Sequence, residues 1–176
     1  MFEQEDLFIR QETPFDRRRI DAIHRKAFGR EREAELIEAL RRAGDYLPNL
    51  SLVAQVGDDL VGHVLFTPVR ITASDGTLDA LALAPLAVLP EYQRKGIGTR
   101  LVEEGLALGR KGRYALVLAI GIPTYFSTFG FERASSHGIR FSIDVPDAEA
   151  MVLPLSPGIL EHAKGIASYP DAFSGS

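Results

Sequence analysis

The sequence predicts an α/β fold built on a mixed, mostly antiparallel sheet. Three observations lead there. Two stretches with helical spacing of apolar residues precede three strands joined by tight turns. The third of these strands is apolar almost throughout, which implies burial on both faces. It runs into a glycine-punctuated helix and a further apolar strand, and such a strand–helix–strand unit makes a parallel pair through a right-handed crossover.

Leu7 to Thr13 reads as a short first strand. Pro14 opens a helix with Asp16 in its first turn; Ile20, Ile23 and Ala27 recur on one face, and Gly29 stops it. His24 and the arginines at 17–19 are expected on the solvated side. A second helix starts near Glu31, buries Leu36, Ile37 and Leu40, and stops at Gly44. The strands run over Ser51–Val56, Val61–Ile71 and Leu78–Leu89, with turns at Gly57-Asp58-Asp59 and Ser74-Asp75-Gly76. Pro85 cannot donate to a ladder, so it marks a bulge or break that would free backbone groups of Leu86, Ala87 and Val88. The next helix spans Gly96 to Gly109, with Ile97, Leu101, Val102 and Leu106 facing inward. A strand over Tyr114–Ile120, a short helix over Thr124–Phe129 ended by Gly130, and strands near Ile139–Ile143 and Ala150–Leu153 complete the order. From about Lys164 the chain is expected to be loosely structured.

At 176 residues the chain is expected to form a single domain over 1–176, with its core at about 5–155 and a C-terminal extension at about 156–176. Without cysteine it has no disulfide, thiolate metal site or thiol nucleophile. Its net charge of −4 argues against a nucleic-acid partner. The acidic start lacks the order of a signal peptide, and no run has the length of a membrane span, so a cytoplasmic protein with no membrane partner is expected. No two histidines stand at metal-ligand spacing, and no metal is expected.

The chemistry concentrates at Gln93-Arg94-Lys95-Gly96-Ile97-Gly98-Thr99. Glycine lets backbone close on a ligand without a Cβ in the way, and the first turn of a helix offers unpaired N–H groups at the positive end of its dipole. Together they suit a phosphate or diphosphate. A dinucleotide fold would carry its glycines in the first strand–helix unit with an acidic residue about 20 positions on, and this chain has neither. The Gly-x-x-x-x-Gly-Lys-Ser/Thr loop of ATP-binding proteins is also missing.

Gln93 to Gly98 resembles the Gln/Arg-x-x-Gly-x-Gly/Ala signature of the GNAT acetyltransferase superfamily, and Ala87-Val88 with Pro90-Glu91-Tyr92 before it and Gly130-Phe131 after the next strand resemble its setting. Gly62-His63-Val64-Leu65-Phe66, Gly121 to Phe131, Val145-Pro146-Asp147 and Tyr169-Pro170-Asp171-Ala172-Phe173 are similar to the YhbS-like branch of predicted acetyltransferases. The resemblance covers nearly the whole chain. It implies the GNAT acyl-CoA N-acyltransferase fold, with helices on both faces of the sheet. It also implies acetyl-CoA as cosubstrate and transfer to a primary amine, on a small molecule or peptide, by direct attack in a ternary complex. By residue matching, Gln93, Arg94, Lys95, Gly96, Ile97, Gly98 and Thr99 would hold the diphosphate, and Leu86, Ala87 and Val88 would face the pantetheine arm. A homodimer is a common outcome in the superfamily.

In many relatives a tyrosine four residues before the Gly-Phe glycine protonates the departing thiolate. Here that position is Phe126, which has no proton to give, and Tyr125 stands one residue earlier, about 100° around a helix. Tyr125 is the acid candidate, and with Phe126 it is expected near the cofactor. His63, on a central strand, is the base candidate; the alternative is a satisfied core histidine. Phe126 also supports a second reading, a non-catalytic acyl-CoA binding or sensor module. A third is an acyltransferase that uses longer chains.

Overall fold

The computed structural model describes residues 6–174. The chain packs as two compact units, and two strands and one helix run from one to the other.

The first unit takes in the described residues through Phe66 and then Pro85–Gly105. It opens with β1 (Leu7–Gln11), α1 (Arg17–Phe28) and α2 (Arg32–Ala43). Ile20 and Ile23 of α1 and Ala34, Ile37 and Leu40 of α2 are buried, as their spacing requires. Both helices end on a left-handed glycine, Gly29 at φ 68° and Gly44 at φ 79°, with basic residues in each last turn where the dipole favours them. Next come β2 (Ser51–Val56) and β3 (Asp59–Ala73). β1 pairs antiparallel with β2, Leu7 opposite Val56, and β2 pairs antiparallel with β3, Ser51 opposite Leu65. The end of β4 (Gly76–Val88) and the start of α3 (Ile97–Lys111) close the unit. Gly62 is what lets α3 lie close on β3: a Cβ there would meet Leu101, Ile97 and the Ala87 carbonyl at 3.0–3.3 Å.

The second unit takes in Thr67–Ala84 and the described chain from Leu106. β4 pairs parallel with β5 (Leu116–Ile120), from Ala80 opposite Leu116 to Leu83 opposite Ala119. That register stops two residues short of Pro85, while β4 itself continues to Val88. After β5 come α4 (Pro123–Phe126), β6 (Glu132–Arg133), β7 (Ile139–Phe141), β8 (Ala150–Pro154) and β9 (Gly165–Ser168). β8 pairs antiparallel with both β5 and β6. The core of this unit centres on Ile71, Ala82, Leu116, Leu118 and Val152.

The tail corrects one expectation. The chain after Lys164 is not loose: β9 pairs antiparallel with β3 and parallel with β7, and Tyr169 is buried against Phe141 and Phe173. Gly165 makes this possible, because its α-carbon lies where any Cβ would collide with the backbone of Thr72. A four-residue strand with one buried side chain has no period strong enough to read from sequence.

Candidate active site

The end of β4 and the loop after it are built by a short series of hydrogen bonds. Leu89 N–H donates to the Val61 carbonyl on β3. Successive amides on a strand alternate sides, so the Val88 and Leu86 N–H groups point away from β3. The Val88 carbonyl accepts from Gln93 Nε2 at 2.9 Å. This narrows the expectation that the backbone of Val88 is free: its carbonyl is held by the loop itself. Tyr92 N–H on the Leu89 carbonyl and Gln93 N–H on the Pro90 carbonyl fold the connection into one tight turn.

Two left-handed residues then shape the loop. Arg94 sits at φ 62°, the one non-glycine residue with positive φ among the described residues, and Gly96 sits at φ 84°. A left-handed conformation costs an ordinary residue about 1–2 kcal/mol, so Arg94 marks a place where strain is kept. A Cβ on Gly96 would meet nothing within 4 Å, so the glycine serves the backbone conformation and the space beside it is open. The first rung of the α3 ladder is Arg100 N–H on the Gly96 carbonyl at 3.1 Å. The amides of Ile97, Gly98 and Thr99 therefore precede the ladder and emerge at the positive end of a 15-residue helix. Ile97, 1% exposed, anchors that end in the core. Successive amides beside left-handed residues form a concave donor surface for an anion, and a diphosphate fits this donor set.

His63 lies in the same unit but is fully buried. Its Nε2 is 2.7 Å from Ser51 Oγ and its Nδ1 is 2.8 Å from His24 Nε2. Burial, with His24 and Arg41 adding to it, holds the His63 imidazole well below its ordinary pKa. His24 is also fully buried, a correction to its expected solvated position, and burial pushes it down to about 4. Its placement was legible: it follows Ile20 by four residues and so shares the apolar face of α1. Beyond Ser51 the bonds continue to the Tyr46 hydroxyl at 2.8 Å, which accepts from Arg41 Nη2, itself paired with Glu12 at 3.2 Å. Tyr46, Arg41 and Glu12 carry no sequence signal, because their partners lie far away along the chain.

Tyr125 and Phe126 belong to the second unit, on α4. Both amides donate to the Ile122 carbonyl at 3.1 Å, which fixes one tight turn and sends the two rings in different directions. Phe126 is buried against Phe131, with Gly121 leaving room for its ring. Tyr125 is half-buried, edge-on to Phe126 and Phe129. Among the described residues no group of three or more His, Cys, Asp or Glu side chains is placed to hold a metal ion, and no helix is long and apolar enough to cross a membrane.

Comparison with known proteins agrees with this geometry. The family described as acetyltransferase (GNAT) domain matches residues 9–134. The Escherichia coli (strain K12) protein named uncharacterized N-acetyltransferase YhbS is 34% identical over 169 residues, covering 96% of this chain and 99% of its own. A crystal structure of Escherichia coli YhbS in complex with CoA superposes with a TM-score of 0.89 at 33% identity, over 97% of this chain and 93% of that one. A Brucella melitensis GNAT family acetyltransferase in complex with acetyl-CoA gives a TM-score of 0.77 at 30% identity, over 95% of this chain and 97% of that one. The chain belongs to the GNAT family of N-acetyltransferases.

Proposed function

We propose that the whole chain works as one acetyl-CoA-dependent N-acetyltransferase domain, moving the acetyl group to a primary amine by direct attack in a ternary complex. The observation that carries this reading is the loop from Gln93 to Thr99. Strained Arg94, left-handed Gly96 and the leading amides of α3 present donors to a diphosphate. The CoA and acetyl-CoA seen with the two similar structures support it.

In this reading Arg94, Lys95, Gly96, Ile97, Gly98 and Thr99 hold the diphosphate, and Gln93 fixes the loop by tying up the Val88 carbonyl. The outward amides of Leu86 and Val88 bond the pantetheine arm, with Ala87 between them. A backbone N–H of this strand polarises the thioester carbonyl, where a fixed donor lowers the barrier without reorganising. The neutral amine forms the C–N bond and sheds a proton to water, the C–S bond breaks, and the Tyr125 hydroxyl protonates the departing thiolate and regains its proton from solvent. Phe126 is assigned near the cofactor only by the resemblance that also names Tyr125. His63, the base candidate, is fully buried and bonded on both ring nitrogens, which favours a satisfied core histidine over a base that reaches the acceptor. The setting is the cytoplasm, where acetyl-CoA is available.

The test is calorimetry with acetyl-CoA, followed by detection of free CoA across a panel of primary amines. Saturable binding with amine-dependent CoA release is expected, and no binding would end the proposal. Binding without release from any amine would favour the second reading, an acyl-CoA sensor. Its one structural support is buried Phe126, which has no proton to give at the position where the superfamily resemblance places a tyrosine in many members.

A further inference from the structure

β1 stands at the end of the sheet, and among the described residues no strand pairs with its outer side. Glu12 N–H, one residue past the strand, donates to the Ser51 carbonyl on β2 at 3.0 Å. Backbone groups alternate sides along a strand, so Phe8 and Arg10 also turn theirs toward β2, while Leu7, Ile9 and Gln11 point N–H and C=O outward. An open edge is a template for another strand, and proteins commonly blunt it with lysine, proline or a cover. β1 carries neither lysine nor proline. It shows aromatic surface instead: Phe8 is 59% exposed, and Phe15, in the turn after the strand, is 91% exposed.

The strand is complementary to a second copy of itself. Set antiparallel about a two-fold axis at Ile9, it brings Ile9 to its own counterpart, Leu7 to the copy's Gln11 and Phe8 to the copy's Arg10. The outward groups of Leu7, Ile9 and Gln11 are then satisfied together. The Gln11 carbonyl, which accepts from Arg10 Nη1 at 3.0 Å, has a second lone pair for this. Phe8 and Arg10 fall at the non-hydrogen-bonded positions of the new ladder, where facing side chains are closest, and a guanidinium on an aromatic ring is attractive. Arg10 is already ordered. It forks onto Asp16 with bonds of 2.7 and 3.0 Å and donates from Nε to Gln55 at 3.0 Å, so pairing costs it little rotamer freedom. The same fork ties the turn that carries Phe15 to the strand. Charge selects the direction: exposed Asp6 precedes β1, and exposed Arg17 and Arg18 follow it. Antiparallel pairing brings the acidic end of each copy toward the basic end of the other, whereas parallel pairing sets like beside like.

We infer that the outer edge of β1 is an interface for a second copy of this chain, paired antiparallel about Ile9 with Phe8 of each copy on Arg10 of the other. Five residues make a short edge, so the dimer is weak and reversible. The inference does not rest on the acetyltransferase reading above.

The test is sedimentation velocity of the full chain over a concentration series up to about 100 µM, where a weak interface is populated. A concentration-dependent dimer is expected. Ile9→Pro removes an outward N–H and spares the bonds to β2. Phe8→Lys sets a cation against the copy's Arg10. Each is expected to weaken dimerisation at least about tenfold, with the far-ultraviolet circular dichroism unchanged. If the proline unfolds the chain, Phe8→Lys at its exposed position still decides. The register has a separate test, because the chain has no cysteine. Ile9→Cys would place two thiols on α-carbons about 5.5 Å apart, within disulfide reach, and Gln11→Cys would not. Mild oxidation should link the first variant into a dimer and leave the second unlinked. A chain that stays monomeric throughout overturns the inference and leaves the edge to a strand from a different protein. A dimer that Phe8→Lys and Ile9→Pro do not weaken, or one that links through Gln11→Cys and not Ile9→Cys, overturns it as well.

Discussion

The ring of Phe66 fills the space where Gly105 would carry a side chain: a Cβ on this α3 residue would fall within the Phe66 ring. Phe66 is 1% exposed at the end of the first unit's share of β3, so the ring cannot swing into solvent. Alanine at 105 would gain about 1 kcal/mol of helix propensity but force overpacking that costs about 1–3 kcal/mol or more. Gly105→Ala is expected to lower unfolding stability by about 2 kcal/mol, measured by urea denaturation. Phe66→Leu in the same chain should recover part of that loss, because the two changes share one space.

Acid should weaken the fold through its two buried histidines. Both are held below their ordinary value of 6.5, His24 to about 4 and His63 further. Between these values and 6.5 the unfolded chain binds more protons than the folded one, so stability falls as pH falls. It is fully present above 6.5. His24 alone accounts for about 3 kcal/mol across this window at about 1.4 kcal/mol per pH unit. Asp21, raised by burial, opposes the trend near the bottom, and Asp16, lowered by its bond to Arg10, adds to the loss only below the usual carboxylate range. Urea midpoints taken from pH 7 to 4.5 should drop steeply, and a His24→Gln chain should show a shallower slope. Equal slopes would mean that His24 is not buried neutral.

The signals legible in the sequence were local. Helix ends at Gly29 and Gly44, the strand over Ser51–Val56 and the glycine loop before α3 are each set by neighbours within a few residues. The pairing break before Pro85 belongs with them, since a proline's missing N–H is visible in one letter. What escaped depends on distant partners. β9 forms because Gly165 can approach Thr72, and the polar line from Glu12 to His24 joins residues from β2, β3, both helices and the segments between them. His24 is the instructive case: its spacing from Ile20 pointed inward, but only Ser51 and His63 explain why an imidazole could be afforded there.

The loop separates backbone from side-chain effects. Gly96→Ala keeps every side chain of the signature but places a Cβ at φ 84°, at a cost of about 1–2 kcal/mol. That strain is expected to weaken acetyl-CoA binding about tenfold, read by calorimetry, with the core of α3 unaffected. Arg94→Gly relieves a strained φ of 62° and removes one charge. If amides hold the diphosphate, it should cost less affinity than Gly96→Ala. The reverse order would assign the holding to the Arg94 side chain.

Tyr125 and Phe126 offer the sharpest test of the leaving-group step. Tyr125→Phe removes a single hydroxyl from a ring packed edge-on to Phe126 and Phe129, so the fold should be unchanged. A positioned acid contributes about 10²–10⁴-fold in general, but a thiolate is a weak base and leaves partly unaided. Turnover of the best amine in the panel is therefore expected to fall toward the lower end, about tenfold to a hundredfold, with acetyl-CoA affinity unchanged. Phe126→Tyr would put a hydroxyl beside Phe131 in a buried cluster with no partner shown for it, and should cost stability. If that variant instead raised turnover while Tyr125→Phe left it alone, the acid position would be 126 and Tyr125 would be a packing residue.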